Sequence, residues 1–418
     1  MLGFIIGLLK VICVLGVLIT VHEAGHCIVA KKFKVKVRQF AIGFGPIIWQ
    51  KETPETLYQL RLIPLGGFCD MLGESEQVKQ KGSYSEASVG KRMAIILAGA
   101  TVNIVIGLIL FFSLAMFKNE YASTTVNYVE PNYAAAEAGI ESGDIIKKIN
   151  GKSIHLKTDV DKILNASQGE ELVFLVERNN EEKEIKVSPT KREKNSVGIT
   201  FGYSEEGYSR EVLAVTEGKP AERAGLKPGD TFLKINDQEV TDSDTLSELI
   251  LYADELIVTI LRDGKEMTID IGPEKVSTYY LGVAFKLAEN NLKNNLSYSF
   301  WNTVDYLSSI AQSLKELFTG KGSVDNMMGP IGISQIIVKS SGIYDFIYLF
   351  SIVSLSLGVT NLLPIPALDG GKFVFLVIEA IRRKPVPEKI VGYIESAGFL
   401  LLIALSIYIA IKDVIRLF

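Results

Sequence analysis

His22-Glu23-Ala24-Gly25-His26 lies inside an apolar segment that begins almost at residue 1. Ionisable side chains are expensive in such a segment and normally absent, so two imidazoles and a carboxylate within five residues need a chemical reason. On a helix, positions i and i+4 share a face. His22 and His26 can therefore aim two nitrogens at one point, with Glu23 beside them, which is the arrangement of a zinc site with an adjacent base. The chain holds only three histidines among 418 residues, and an accidental H-E-x-x-H is expected in roughly one such chain per thousand. The third, His155, stands in polar sequence far from the motif and reads as an exposed loop residue. Cys27 adjoins His26 but points about 100° away from it around the helix, which makes it a packing residue rather than a ligand.

Hydrophobic residues make up 48% of the chain and charged residues 22%, with a mean hydropathy of +0.25. That mixture predicts membrane spans alternating with soluble domains. A net charge of −4 argues against a general nucleic-acid binder. The three cysteines, Cys13 and Cys27 in the first apolar segment and Cys69 in a polar loop, imply no disulfide framework. Four stretches are long and apolar enough to cross a bilayer: about 2 to 30, 93 to 117, 345 to 378 and 393 to 415. Lys31, Lys32, Lys34, Lys36, Arg38, Lys51, Arg61, Lys91 and Arg92 follow the first, and Arg382, Arg383, Lys384 and Lys389 follow the third. Both connections should be cytoplasmic. Both termini and the long middle region then lie on the outer face, and the motif sits near the cytoplasmic end of the first span.

Between the second and third spans the sequence nearly repeats itself. Ala138-Gly139-Ile140-Glu141-Ser142-Gly143-Asp144 through Asn150 returns as Ala224-Gly225-Leu226-Lys227-Pro228-Gly229-Asp230 through Asn236. A polar, helix-like stretch and alternating strands at Leu172 to Val176 and Leu256 to Ile260 follow, and the units close on Val197-Gly198-Ile199-Thr200-Phe201 and Leu281-Gly282-Val283-Ala284-Phe285. Two mixed α/β modules in tandem are expected. The A-G-[IL]-x-x-G-D run resembles the circularly permuted PDZ domain of bacterial membrane and periplasmic proteases. Such modules bind extended peptides by strand addition, and the resemblance makes Gly198, Ile199, Gly282 and Val283 candidate peptide-binding loops. A spacer role is the competing reading. Beyond them, Leu296, Phe300, Val304, Leu307, Ala311, Leu314 and Phe318 recur at helical spacing and predict an amphipathic helix.

A catalytic zinc site takes three protein ligands and leaves one position open. Asp369, in the proline-broken run Asn361-Leu362-Leu363-Pro364-Ile365-Pro366-Ala367-Leu368-Asp369-Gly370-Gly371, is the best third ligand, because an acid there demands a partner and the topology returns it to the depth of the motif. H-E-x-x-H in the first span, N-x-x-P-x-P-x-L-D-G-G in the third and PDZ modules between the second and third together resemble a site-2 protease over essentially the whole chain, and within that family the bacterial members with paired PDZ modules. The resemblance implies one Zn2+ held by His22, His26 and Asp369, Glu23 as catalytic acid/base, and Asn361 engaging the substrate backbone. Phe40 to Pro46, followed by the alternating Thr56 to Ile63, reads as strands joined by turns. By resemblance this is a membrane-dipping β-sheet whose Gly43, Phe44 and Gly45 contact unwound substrate. Gly99-Ala100-Thr101-Val102-Asn103 occupies the place where the family commonly has a Gly-Pro pair before Asn, so the helix shape there is in question.

The expected fold is a polytopic α-helical membrane protein with four transmembrane helices, a membrane-associated β-sheet and two PDZ-like domains in tandem. Its expected divisions are a first span over 1–30, a cytoplasmic β region over 31–91, a second span over 92–118, PDZ-like domains over 119–203 and 204–290, an amphipathic region over 291–343, a third span over 344–380, and a loop with the fourth span over 381–418. The expected function is hydrolysis within transmembrane segments, in a bacterial cytoplasmic membrane. Implied substrates are anti-sigma-factor-like proteins already trimmed by an upstream site-1 protease, and signal-peptide remnants, with the PDZ pair as size filter or sensor and no nucleic-acid partner. A catalytically silent PDZ scaffold and a metal transporter are the competing classes. The intact motif with Asp369 speaks against the first, and Glu23 with the peptide-binding modules against the second.

Overall fold

The structure, a computed structural model, describes residues 2–74, 76, 78–117, 121–204, 207–216, 218–240, 246, 249–251, 253, 255–319 and 343–415. The chain divides into two compact units, one built mainly from Met1–Phe111 and Ile343–Phe418, the other from Phe112–Asn302.

In the first unit, α1 (Leu2–Lys32) is followed by β1 (Val37–Glu52), β2 (Leu57–Met71) and α2 (Val89–Phe117). Near-continuous apolar sequence makes α1 and α2 helical along their whole length, since only a helix satisfies its own backbone in hydrocarbon. Among the described residues three helices are long and apolar enough to span a membrane, Lys10–Lys32, Val89–Phe117 and Glu388–Lys412, with Phe346–Leu362 a shorter apolar one. β1 and β2 form a bulged antiparallel ribbon that folds back on itself. Phe40, Ala41 and Ile42 each face two partners, Cys69, Phe68 and Gly67 on one side and Tyr58, Gln59 and Leu60 on the other. Cys69, expected in a loop, is therefore a strand residue, and it is buried together with Cys27 in a core that includes Ala30, Val37, Ile95 and Leu376.

The second unit contains β3 (Ala122–Val129), α3 (Ala134–Ala138), β4 (Ile145–Ile149), β5 (Lys152–Ser153), α4 (Lys157–Ala166), β6 (Leu172–Arg178), β7 (Glu181–Val187) and β8 (Thr190–Ser196). The chain continues through β9 (Ile199–Ser204), β10 (Gly207–Val215), α5 (Pro220–Arg223), β11 (Thr231–Ile235), β12 (Gln238–Glu239), β13 (Leu256–Arg262), β14 (Lys265–Ile271), β15 (Glu274–Tyr280) and β16 (Val283–Leu287). The helix-like stretch expected in the second module falls largely outside the described residues.

The two modules are not in tandem. One sheet runs β16-β3-β4-β6-β7 and the other β14-β13-β11-β10-β9, with β8 and β15 paired as a separate ribbon. The strand that closes the first copy of the repeat thus joins the second module, and the strand that closes the second copy returns to the first. The cores agree: Leu281 is buried with Val126 to Val187, and Val197 with Val212 to Ile271. The second module is an insertion into the first, so a boundary between 203 and 204 divides neither correctly. The repeat hides this because its two closing segments are nearly equivalent in sequence, and either could complete either sheet.

The Asp of the repeated G-D step has a structural role in both copies. Arg178 Nε and Nη2 donate to the two oxygens of fully buried Asp144 at 2.7 and 2.8 Å and to the Gly139 carbonyl at 2.7 Å. Arg262 does the same to Asp230 and the Gly225 carbonyl. Burial alone would raise the pKa of Asp144, but the Arg178 guanidinium and the Glu141 backbone N–H hold it below the ordinary carboxylate range.

The amphipathic stripe forms α6 (Leu292–Phe318), and the remainder of its expected region, 320–342, lies outside the described residues. The third apolar stretch is not one helix. It forms α7 (Ile343–Leu362), a turn through Pro364 and Pro366, and α8 (Asp369–Arg382), and α9 (Glu388–Ile415) follows. Gly370 and Gly371 permit the sharp return: a Cβ on Gly371 would sit 3.0 Å from Pro366 Cα, against backbone that cannot give way.

Candidate metal centre

Helices α1, α2 and α8 and the sheet edge assemble the site. α1 presents His22 and His26 on one face, both buried. α2 crosses so closely that a Cβ on Gly25 would meet the Ala98 carbonyl oxygen at 2.8 Å, and one on Gly99 would lie 2.7 and 2.8 Å from His22 Cε1 and Nε2. Glycine at both places lets backbone and imidazole approach, as small residues do where helices pack in lipid. α8 brings Asp369 as its first residue. Ala367, two residues earlier, is held at φ 74°, a left-handed conformation costly for a residue with a Cβ. Two ion pairs anchor α8. Arg92 on α2 grips Glu379 through two bonds of 3.1 and 2.5 Å, and Lys372, one turn beyond Asp369, reaches Glu74 at 3.0 Å.

The result is a triangle of ligand atoms. His22 Nε2 is 2.9 Å and His26 Nε2 3.2 Å from Asp369 Oδ2, and the two nitrogens are 3.1 Å apart. His26 Nδ1 lies 2.8 Å from the Ile95 carbonyl oxygen. A carbonyl only accepts, so Nδ1 carries the proton and His26 Nε2 is a lone pair. Asp369 Oδ2 is buried beside both rings without being hydrogen-bonded by either. Three electron-rich atoms this close, one of them a buried carboxylate oxygen without a hydrogen bond, are the arrangement a cation resolves. Tetrahedral zinc at its usual bond lengths spaces its ligand atoms about 3.3 Å apart. The donor set of two imidazoles and one carboxylate also suits zinc, and among the described residues this is the one His/Cys/Asp/Glu group able to hold a metal.

Glu23 does not join the triangle. Its Oε2 accepts the Cys69 backbone N–H at 3.1 Å, and its Cγ lies against Gly67. Gly67 pairs with Ile42, next to Gly43. Phe44 packs over Gly66, and Gly43 and Gly45 both adopt φ 84°. Asn361, at the end of α7, places Nδ2 3.4 Å from His22 Nδ1. Asn103, which sequence reasoning did not single out for the site, is fully buried and places its own Nδ2 3.5 Å from the same nitrogen. Its sequence signals were a polar residue in an apolar helix and its place at the end of the Gly99–Asn103 run, neither of which pointed to the metal ligands. Gly198 with Ile199 and Gly282 with Val283 belong to the other unit, where β9 and β16 stand at the ends of their sheets. His155 is likewise in that unit, stacked on Trp301 with ring centroids 3.5 Å apart.

The chain is 29% identical over its full length to the regulator of sigma E protease of Haemophilus influenzae, covering all of that protein. It is 29% identical to the zinc metalloprotease RasP of Geobacillus kaustophilus, with 98% of each chain covered. The regulator of sigma-W protease RasP of Bacillus subtilis is 28% identical, with 99% of this chain and all of the other covered. Among solved structures, the HtrA3 PDZ domain bound to a phage-derived ligand is 26% identical, with 21% of this chain and 93% of that chain covered at a TM-score of 0.19. A serine endoprotease from Yersinia pestis is 21% identical, with 25% and 43% covered at a TM-score of 0.18. The family profile matches residues 10–405, a stretch that takes in both histidines, Glu23 and Asp369, and on that match the chain belongs to peptidase family M50.

Proposed function

We propose that this chain is an intramembrane zinc endopeptidase that cuts within transmembrane segments of pre-trimmed single-span proteins. The observation that carries this is the His22, His26 and Asp369 triangle, with Glu23 beside it, inside an apolar helix. One zinc bound there supplies Lewis acidity toward water and a peptide carbonyl. Glu23 is the proton carrier. The Cys69 N–H holds one carboxylate oxygen, leaving the other to accept a proton from the attacking water and deliver it to the leaving amine.

A helical substrate keeps its carbonyls hydrogen-bonded, so cleavage requires local unwinding and new partners for the freed groups. Asn361 is suited to supply one, and the sheet carrying Gly43, Phe44 and Gly45 another by strand addition. Exposure of Ile47, Ile48, Trp49 and Leu62 on that sheet supports its immersion in the membrane. The basic connections support a reading with both termini and the modules outside and the metal centre near the cytoplasmic side of a bacterial inner membrane, with four crossings if α7 and α8 together make the third. The nested modules read as PDZ-like, with Gly198, Ile199, Gly282 and Val283 at the peptide-binding loops, acting as size filter or sensor of the trimmed end. Two relatives are named as regulators of sigma E and of sigma-W, and in keeping with that the substrates proposed for this chain are anti-sigma-factor-like proteins trimmed by an upstream site-1 protease, together with signal-peptide remnants.

The test is cleavage of a single-span substrate in vesicles by the parent and by Glu23→Gln, with zinc content measured on both. Cleavage by the parent alone, with about one zinc on each protein, supports the reading. Equal cleavage by both refutes the role of Glu23, and a parent without zinc refutes the metal centre.

A further inference from the structure

Two asparagines converge on the ring nitrogen of His22 that faces away from Asp369. Asn361 Nδ2 stands 3.4 Å and Asn103 Nδ2 3.5 Å from His22 Nδ1, while Asn103 Oδ1 is buried without a hydrogen-bond partner. Two donors on one nitrogen beside an orphaned acceptor is an unfavourable arrangement in a dry site. The oxygen and nitrogen of an amide are nearly isosteric, and the hydrogen-bond network decides which is which. A half-turn of the Asn103 amide brings its oxygen to His22 Nδ1 and gives it a proton to accept.

Helix α2 already does this for the other histidine. The Ile95 carbonyl accepts His26 Nδ1–H at 2.8 Å, Gly99 opens space against both rings, and Asn103 completes the series. Residues 95, 99 and 103 recur every four positions and so lie along one face of α2. The Ser354 hydroxyl donates to the Asn103 main-chain oxygen at 2.7 Å and pins that turn to α7.

We propose that Asn103 is a positioning residue whose Oδ1 accepts His22 Nδ1–H, fixing the tautomer that leaves His22 Nε2 as a lone pair for the metal and freeing Asn361 for the substrate. This rests on the reading of His22 as a metal ligand, and partners of ligating histidines are worth about 10–100-fold in metal affinity.

The test uses the full chain labelled with 15N-histidine, in which only three histidines contribute. Zinc affinity is measured in parallel by chelator competition on the parent, Asn103→Leu, Asn103→Asp and Asn361→Leu. The parent should show a protonated Nδ1 and a metal-shifted Nε2 at both His22 and His26. Asn103→Leu should move the His22 Nδ1 resonance, leave that of His26 in place as a report of intact folding, and weaken zinc binding by about 10–100-fold. Asn103→Asp keeps an acceptor and should retain both the tautomer and the affinity. Asn361→Leu should leave both unchanged while raising KM for cleavage. Equal loss of affinity in Asn103→Asp and Asn103→Leu overturns the proposal, as does a His22 resonance that responds to Asn361→Leu and not to Asn103→Leu. A parent with no metal-shifted nitrogen overturns instead the underlying metal centre.

Discussion

Adding one methyl group at Gly99 should abolish the metal centre without replacing a ligand. In Gly99→Ala the new Cβ would stand 2.7 Å from His22 Cε1 and 2.8 Å from His22 Nε2, and closer still to His26 Nε2. Carbon contacts relax at about 3.5 Å, so the His22 ring must retreat by about 0.8 Å and the His26 ring by more. Metal–ligand distances tolerate only about ±0.2 Å, and at least one imidazole is therefore lost to the ion. Zinc affinity should fall by more than the roughly 100-fold at the upper end for changes outside the ligands, with an overpacking cost of about 1–3 kcal/mol in stability. Gly90→Ala is the control on the same helix, because its Cβ would meet nothing within 4 Å. The assay is zinc retention on both purified proteins against a graded chelator series. Retention by Gly99→Ala equal to that of Gly90→Ala would refute the close packing of α2 on the histidines.

Further outcomes follow from the same contacts. Removing zinc should lower the melting temperature of the chain by an amount that grows with free zinc on re-addition, about 4 kcal/mol at a thousandfold excess over Kd, read by calorimetry; a melting temperature indifferent to zinc contradicts the site. Arg178→Met leaves fully buried Asp144 without its guanidinium and should cost about 3 kcal/mol, measured by denaturant unfolding. Because the folded pKa of Asp144 is depressed, the stability its pairing contributes is complete above about pH 4 and disappears as pH falls through the folded value. The parent should therefore lose more stability on acidification than Arg178→Met, and parallel pH profiles would be the contrary result.

His22 and His26 were legible because spacing alone puts i and i+4 on one helical face, and Asp369 because an acid in a proline-broken apolar run needs a partner. Asn103 was not, since a lone amide in a membrane helix reads equally well as an ordinary bond between helices. The grip of Cys69 on Glu23 was invisible for a different reason. It is made by a backbone N–H, which every residue but proline possesses, and only the folded ribbon determines which one arrives. The helical stripe of α6 was visible as a period of hydrophobic residues, whereas the path of β9 and β16 was not, because strand pairing is non-local and the two closing segments are near copies.

That strand exchange makes its own prediction. Every strand of the β14-β13-β11-β10-β9 sheet, and every buried residue of its core, lies between Val197 and Ile271. The flanking strands β8 and β15 pair Ser196 with Glu274 and Thr190 with Tyr280, so they approach the insertion as the two arms of a hairpin. Replacing 197–273 in the full-length chain by Asn-Gly, the two-residue turn such arms accept, should leave the first sheet and its core whole. Deleting 204–290, the cut that a tandem arrangement would favour, removes β16 and with it Leu281, which is 2% exposed in the first core. It also leaves β9 without β10. Hydrogen exchange at Ile146, Phe174 and Val176, all fully buried in that first core, distinguishes the two deletions: protection should survive the first and collapse in the second. Equal protection in both would mean that β16 does not belong to the first module, and the nested arrangement would be wrong.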